Sequence, residues 1–143
     1  MNTELTSAII STVVSAAVTL IVMFITNKSS QRQELEKQLD EIIKIGIQNP
    51  KFEQHSFTDQ WKSRIGEQSI EYASYELYAT LVFNYLERFG RFNNFNLAKM
   101  QRRLGVKEWI KIHKAYWKNP NITNENIEQY DKRFVALVEN CLK

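Results

Sequence analysis

The chain has 143 residues, a net charge of +3 and a single cysteine, Cys141, so no internal disulfide can form and a reducing compartment is the simpler reading. Four glycines and two prolines exclude a turn-rich sheet fold, and seventeen aromatic residues exclude a disordered chain. All 19 Lys and Arg residues follow the first 27 positions, where Glu4 is the only charged side chain.

The first element is the run "TSAIISTVVSAAVTLIVMFIT", Thr6 to Thr26, which holds no charge, glycine or proline. A helix over Leu5–Ile25 would rise about 31 Å at about 1.5 Å per residue, matching a hydrocarbon core of about 30 Å. A signal peptide would need a basic start and a small-residue cleavage site, and the run has neither. The expectation is an uncleaved transmembrane anchor over 1–27. Lys28, Arg32 and Lys37 follow the run and no basic residue precedes it, so the positive-inside rule places the N-terminus outside and the C-terminal domain in the cytosol, at the inner (cytoplasmic) membrane. Ser7, Ser11, Ser15 and Thr19 recur every four residues and share a helix face. Such a ridge of small residues predicts self-association of the span; the competing reading is a lone span whose hydroxyls bond back to its own carbonyls.

Residues 28–50 predict an amphipathic connecting helix with Leu35, Leu39, Ile42, Ile43, Gly46 and Ile47 on one face and Asn49-Pro50 as its stop. Its heptad spacing is too short for a coiled coil, which favours packing on the domain over an oligomeric stalk. Residues 51–143 predict a cytosolic helical domain. Phe57, Trp61 and Ile65 have helical spacing, and Gly66 breaks it. Ser69 to Gly90 predicts the main helix, with Ser69 as N-cap and an apolar surface nearly all round from Leu77 to Leu86, as expected in the middle of a bundle. "RFNNFN" reads as a loop. Leu97 to Pro120 predicts a helix, in one piece or in two meeting at Gly105. Asn121 or Thr123 would cap a last helix whose apolar face is Ile127, Tyr130, Phe134, Leu137, Val138 and Cys141.

The basic residues Lys99, Arg103, Lys107, Lys111, Lys114 and Lys118 would line one side of a continuous helix, with Arg102 beside them. The stripe is either a solvated face or a contact with an anionic surface, and near a cytosolic leaflet each such residue adds about 1 kcal/mol. A helix-turn-helix outline around Leu104-Gly105-Val106 lacks turn punctuation, so nucleic acid is not the expected partner. Tyr72, Tyr75 and Tyr78 read as an edge of the core, and His113 as a packed histidine. No phosphate loop, nucleophile elbow or zinc motif occurs, so no catalytic residue, cofactor or metal is expected.

The stretches "YASYELYATLVFNYLERF", "WIKIHKAYWKNPNI" and "YDKRFVALV" resemble small uncharacterised bacterial proteins with one N-terminal span and an aromatic-rich helical cytosolic domain. The resemblance covers roughly Ser69 to Leu142 and implies no activity and no functional residue.

Together these features predict an all-α protein: one N-terminal transmembrane helix followed by a compact bundle of four to five helices. The expected function is a non-enzymatic, membrane-tethered interaction module. It would be a homo-oligomer through its span, contacting membrane lipid or an acidic protein partner through the basic face. The alternative is a membrane-perturbing effector of the holin or toxin kind, assembling through the same span.

Overall fold

A computed structural model of the chain describes residues 2–61, 70–118 and 127–143, with side chains from Val14 onward. The fold is all-helical, and no strand occurs among the described residues. The helices are α1 (Asn2–Gln48), α2 (His55–Thr58), α3 (Ile70–Phe92), α4 (Leu97–Gln101), α5 (Val106–Ile112), α6 (Lys114–Trp117) and α7 (Lys132–Cys141), with a 3₁₀ turn at Pro50–Glu53. The chain divides into two compact units, Met1–Glu34 and Leu35–Lys143.

The first unit is the leading part of α1. The anchor and the connecting segment, read separately in the sequence, are one helix of 47 residues. No glycine or proline interrupts it before Gly46, and Gln31–Leu39 is rich in good helix formers, so the backbone has no reason to break at Asn27. Among the described residues, no helix is long and apolar enough to cross a membrane. The apolar run Thr6–Thr26 lies within α1, and its side chains are described from Val14 onward. The side chains of Ser7 and Ser11, in its earlier part, lie outside the described residues.

The second unit holds the core. Asn49 ends α1 just before Pro50: both its backbone N–H and its side-chain amide donate to the Ile45 carbonyl, at 2.9 and 3.1 Å. From Leu35 on, α1 packs on this domain through buried Ile42 and partly buried Leu39 and Ile45, which decides against a stalk. Ile43 and Ile47, assigned to the same face by sequence, stay exposed at 45% and 73%.

Helix α3 is the centre of the core. Tyr75, Ala79, Val82, Phe83 and Leu86 are fully buried on it. It is not buried all round, however: Leu77 is 69% exposed, so only the α3 stripe facing its neighbours is covered. Phe52, Phe57 and Trp61 close one end of the core against Tyr72 and Tyr75, with Phe57 stacked on Tyr72 at 5.4 Å. At the other end Trp117 meets Phe83 at 4.9 Å and Phe134 at 6.0 Å.

Helix α3 runs two residues past Gly90. The chain then turns with Asn94 and Phe95 in the left-handed region, at φ 53° and 54°. The Phe95 N–H donates to the Gly90 carbonyl at 2.7 Å, and its ring lies where a Gly90 side chain would be: an added Cβ would come within 2.7 Å of it.

The expected 97–120 helix is three short ones. Asn96 caps α4, its side chain accepting from the Lys99 N–H at 3.0 Å, and Gly105 starts α5 after a turn. A second break falls at His113, whose side chain is fully buried. The last helix starts later than its apolar spacing suggests. Asp131 caps α7 by accepting from the Arg133 N–H at 2.9 Å, which leaves Tyr130 outside it. Phe134, Leu137, Val138 and Cys141 form the buried face of α7. Ser69, Ile65, Gly66, Asn121 and Thr123, named above as caps, breaks or core, lie outside the described residues.

Candidate functional site

The second unit buries a polar cluster that borders a groove. The cluster is built from four elements: the 3₁₀ turn supplies Glu53, α3 supplies Tyr75 and Tyr78, α5 supplies Trp109, and His113 sits at the α5–α6 break. Pro50 at the start of the 3₁₀ turn fixes the chain direction that brings Glu53 back over the core beside buried Phe52.

The Glu53 carboxylate accepts from the Tyr78 hydroxyl through a short hydrogen bond. It also accepts from the Trp109 indole N–H, at 2.9 and 3.1 Å to its two oxygens. His113 Nε2 faces Glu53 Oε1 at 3.5 Å, an ion-pair separation too long for a good hydrogen bond. The other ring nitrogen, Nδ1, meets the Tyr75 hydroxyl at 3.1 Å. Tyr75 donating to Nδ1 leaves the His113 proton on Nε2, directed at the carboxylate.

Burial alone would raise the Glu53 pKa. The nearby His113 and the hydrogen bonds from Trp109 and Tyr78 outweigh burial and hold it below the ordinary value. Burial, with the negative Glu53 nearby, pushes both tyrosine hydroxyls far up, so Tyr75 and Tyr78 stay protonated donors. Tyr75 and Tyr78 thus remain neutral donors beside the Glu53 carboxylate.

The groove beside this cluster has a volume of about 530 Å³. Its walls are mainly aliphatic: Leu39, Ile43 and Ile47 from α1, with Leu104 and Ile112 across from them. Glu53, Tyr78 and Trp109 line it too, so the cluster meets the groove at its polar end. Gly46 also lines it, and a Cβ there would come within 3.1 Å of the Tyr78 hydroxyl. The missing side chain is what lets Tyr78 reach Glu53 past the helix.

The arrangement can hold a positive or hydrogen-bond-donating group against a carboxylate in apolar surroundings. No serine or cysteine lines the groove among the described residues. No group of three or more His, Cys, Asp or Glu suited to a metal ion occurs among the described residues.

Tyr75, Tyr78 and His113, read from sequence as core residues, belong to this cluster, whereas the span and basic residues expected to make contacts lie elsewhere. Ser15 and Thr19 are exposed on α1, and the Thr19 hydroxyl donates to the Ser15 carbonyl at 2.8 Å, spending its donor within its own helix. The basic residues do not line one helix: Lys99 is on α4, Arg102 and Arg103 are in the turn after it, Lys107 and Lys111 are on α5, Lys114 is on α6, and Lys118 follows it. All are exposed except half-buried Lys111, which meets Glu108 at 3.8 Å, and Lys114 meets Asp59 at 3.5 Å. Glu53 has no sequence signal of its own, being a lone acid between Phe52 and Gln54. Gly46, a glycine inside a helical pattern, is the available hint of a close approach.

No protein-family model, curated protein or solved structure matches the chain.

Proposed function

We propose that this protein is a non-enzymatic, membrane-tethered interaction module. The observation that carries the reading is the leading part of α1. Between Val14 and Ile25 its large hydrophobic side chains are 54–70% exposed, on a unit that is a single helix. Apolar area left in water costs about 25 cal/mol per Å², so such a helix needs lipid or copies of itself around it. The uncharged run from Thr6 to Thr26 has the length for lipid. In this reading the segment sits in the inner membrane with its N-terminus outside. The ridge of Ser7, Ser11, Ser15 and Thr19 lets copies approach closely. The Thr19 hydroxyl, already donating within its helix, remains an acceptor for a neighbour.

The basic residues from Lys99 to Lys118 supply the second contact. Distributed over α4, α5 and α6, they suit a diffuse anionic surface such as lipid headgroups or an acidic protein more than a linear groove reader. Tethering raises the local concentration of whatever the domain holds.

In-membrane crosslinking of single-cysteine variants at Ser7, Ser11 and Ser15, in a Cys141→Ser background, tests the assembly. Crosslinks at these positions and none at Ile9 or Val13 are expected. Equal crosslinking at all five positions, or release of the chain from membranes by alkaline carbonate, contradicts the reading.

A further inference from the structure

The groove between Ile43, Ile47 and Trp109 has no part in the tether or in the basic surface, and its chemistry is opposite to that of the rest of the chain. The protein carries a net charge of +3, yet no Lys or Arg is among the described residues lining the groove; its charged lining is Glu53 and Glu108. We propose that this groove is a binding site for a small hydrophobic organic cation, an aryl- or alkylammonium, whose charge rests against Glu53 and whose apolar part lies along Leu39, Ile43 and Ile47.

Three observations on separate side chains agree. The volume of about 530 Å³ lies within the range of sites that bury small organic ligands. Its mainly aliphatic lining with the Glu53 carboxylate among it matches a ligand that is apolar apart from one charged group. Trp109 and Tyr78 bring aromatic rings to the end where Glu53 lies, and a cation within about 6 Å of such a ring is attracted to its face.

The carboxylate is also prepared for a cation. With His113 Nε2 farther off at 3.5 Å, the carboxylate's two hydrogen-bond donors, Tyr78 and Trp109, are neutral and orient the charge without cancelling it. They fix it in place before any ligand arrives, which lowers the cost of ordering the site. Glu53 is 32% exposed, so part of it remains within reach of the groove. Glu108 is paired with Lys111 at 3.8 Å, which leaves Glu53 as the main charge a ligand would meet. An anion would face this carboxylate with no basic residue on the lining to compensate, and burying it there is unfavourable.

The test uses the full chain in nanodiscs of zwitterionic lipid, with two soluble probes of nearly the same shape and opposite charge: benzyltrimethylammonium and benzylsulfonate. The indole N–H resonance of Trp109, bonded to Glu53, reports the groove; that of Trp117, bonded to Glu139 at 2.9 Å, reports the fold. The cation is expected to shift the Trp109 resonance saturably and to bind at least about tenfold tighter than the anion. Glu53→Gln, which keeps an acceptor for the indole, is expected to weaken the cation by about tenfold with the Trp117 resonance unmoved. Ile47→Lys, on the exposed rim, is expected to do the same and decides the matter if Glu53→Gln does not fold. A saturable shift of equal affinity with the anion, no saturable shift with the cation, or unchanged affinity in the folded variants overturns the proposal. None of these outcomes depends on how the tether assembles.

Discussion

Glu53 and His113 carry the consequences of the buried cluster at the level of single residues. Replacing His113 by Ala opens a cavity at a fully buried position and leaves the Tyr75 hydroxyl without its imidazole. A loss of about 2–4 kcal/mol is expected in denaturant unfolding. Gly46→Val must push Tyr78 away from Glu53, since even a Cβ comes within 3.1 Å of its hydroxyl. It should cost about 1–3 kcal/mol despite the better helix propensity of valine over glycine. Glu53 titrates below its ordinary value in the folded chain. Its contribution to stability is therefore fully present above the unfolded pKa and is lost as pH falls through the folded one. The stability difference between the wild-type chain and Glu53→Gln should be largest at neutral pH and shrink below about pH 4.5. A difference that grows on acidification would contradict the folded-state pKa shift. None of these couplings is visible in the local sequence. Glu53 and Trp109 are 56 residues apart, Tyr75 and His113 38, and neither pair belongs to a motif.

Element boundaries were legible where a residue acts on its own backbone. Asn49-Pro50 ends α1 where expected, and the Phe134, Leu137, Val138, Cys141 spacing marks the buried face of α7. They were not legible where tertiary packing competes with helix continuity. The segment 97–118 has helical periodicity throughout, yet it breaks at 102–105 and again at His113, whose imidazole is fully buried. Asn96 is the cap that starts this region. Asn96→Ala should cost about 1 kcal/mol and speed amide exchange at Lys99 and Met100, since the Lys99 N–H loses its acceptor. Unchanged exchange there would mean that packing of Met100, not the cap, positions α4. At α7 the Asp131 carboxyl, held near 2 by hydrogen bonds from Arg133, stays ionised and keeps its capping role through the neutral and mildly acidic range.

The whole molecule is two compact units, Met1–Glu34 and Leu35–Lys143. The unit from Leu35 onward has its own core, reaching from Ile42 through α3 to Cys141, and needs nothing from the leading part of α1 to bury it. A chain beginning at Leu35 is expected to fold cooperatively with the aromatic circular dichroism of the full protein. Loss of that signal would show that the leading helix is part of the fold. The same fragment should bind anionic vesicles at low salt, and Arg103→Glu with Lys107→Glu, both exposed, should reduce the binding by about tenfold or more. Undiminished binding by the double variant would remove the basic residues from the proposed function.

From composition and periodicity alone, this chain is all-helical, most of its aromatic residues belong to its core, and its basic residues all follow an uncharged apolar run. These are one-dimensional properties: burial follows apolar spacing, and helix stops follow proline and capping residues. The division of the basic stripe among three helices, the exposed side of α3 and the Glu53 cluster with its groove were decided only by the tertiary structure. Each depends on which distant segments meet, and the free energy of that meeting lies in contacts between residues tens of positions apart, where local pattern carries no information.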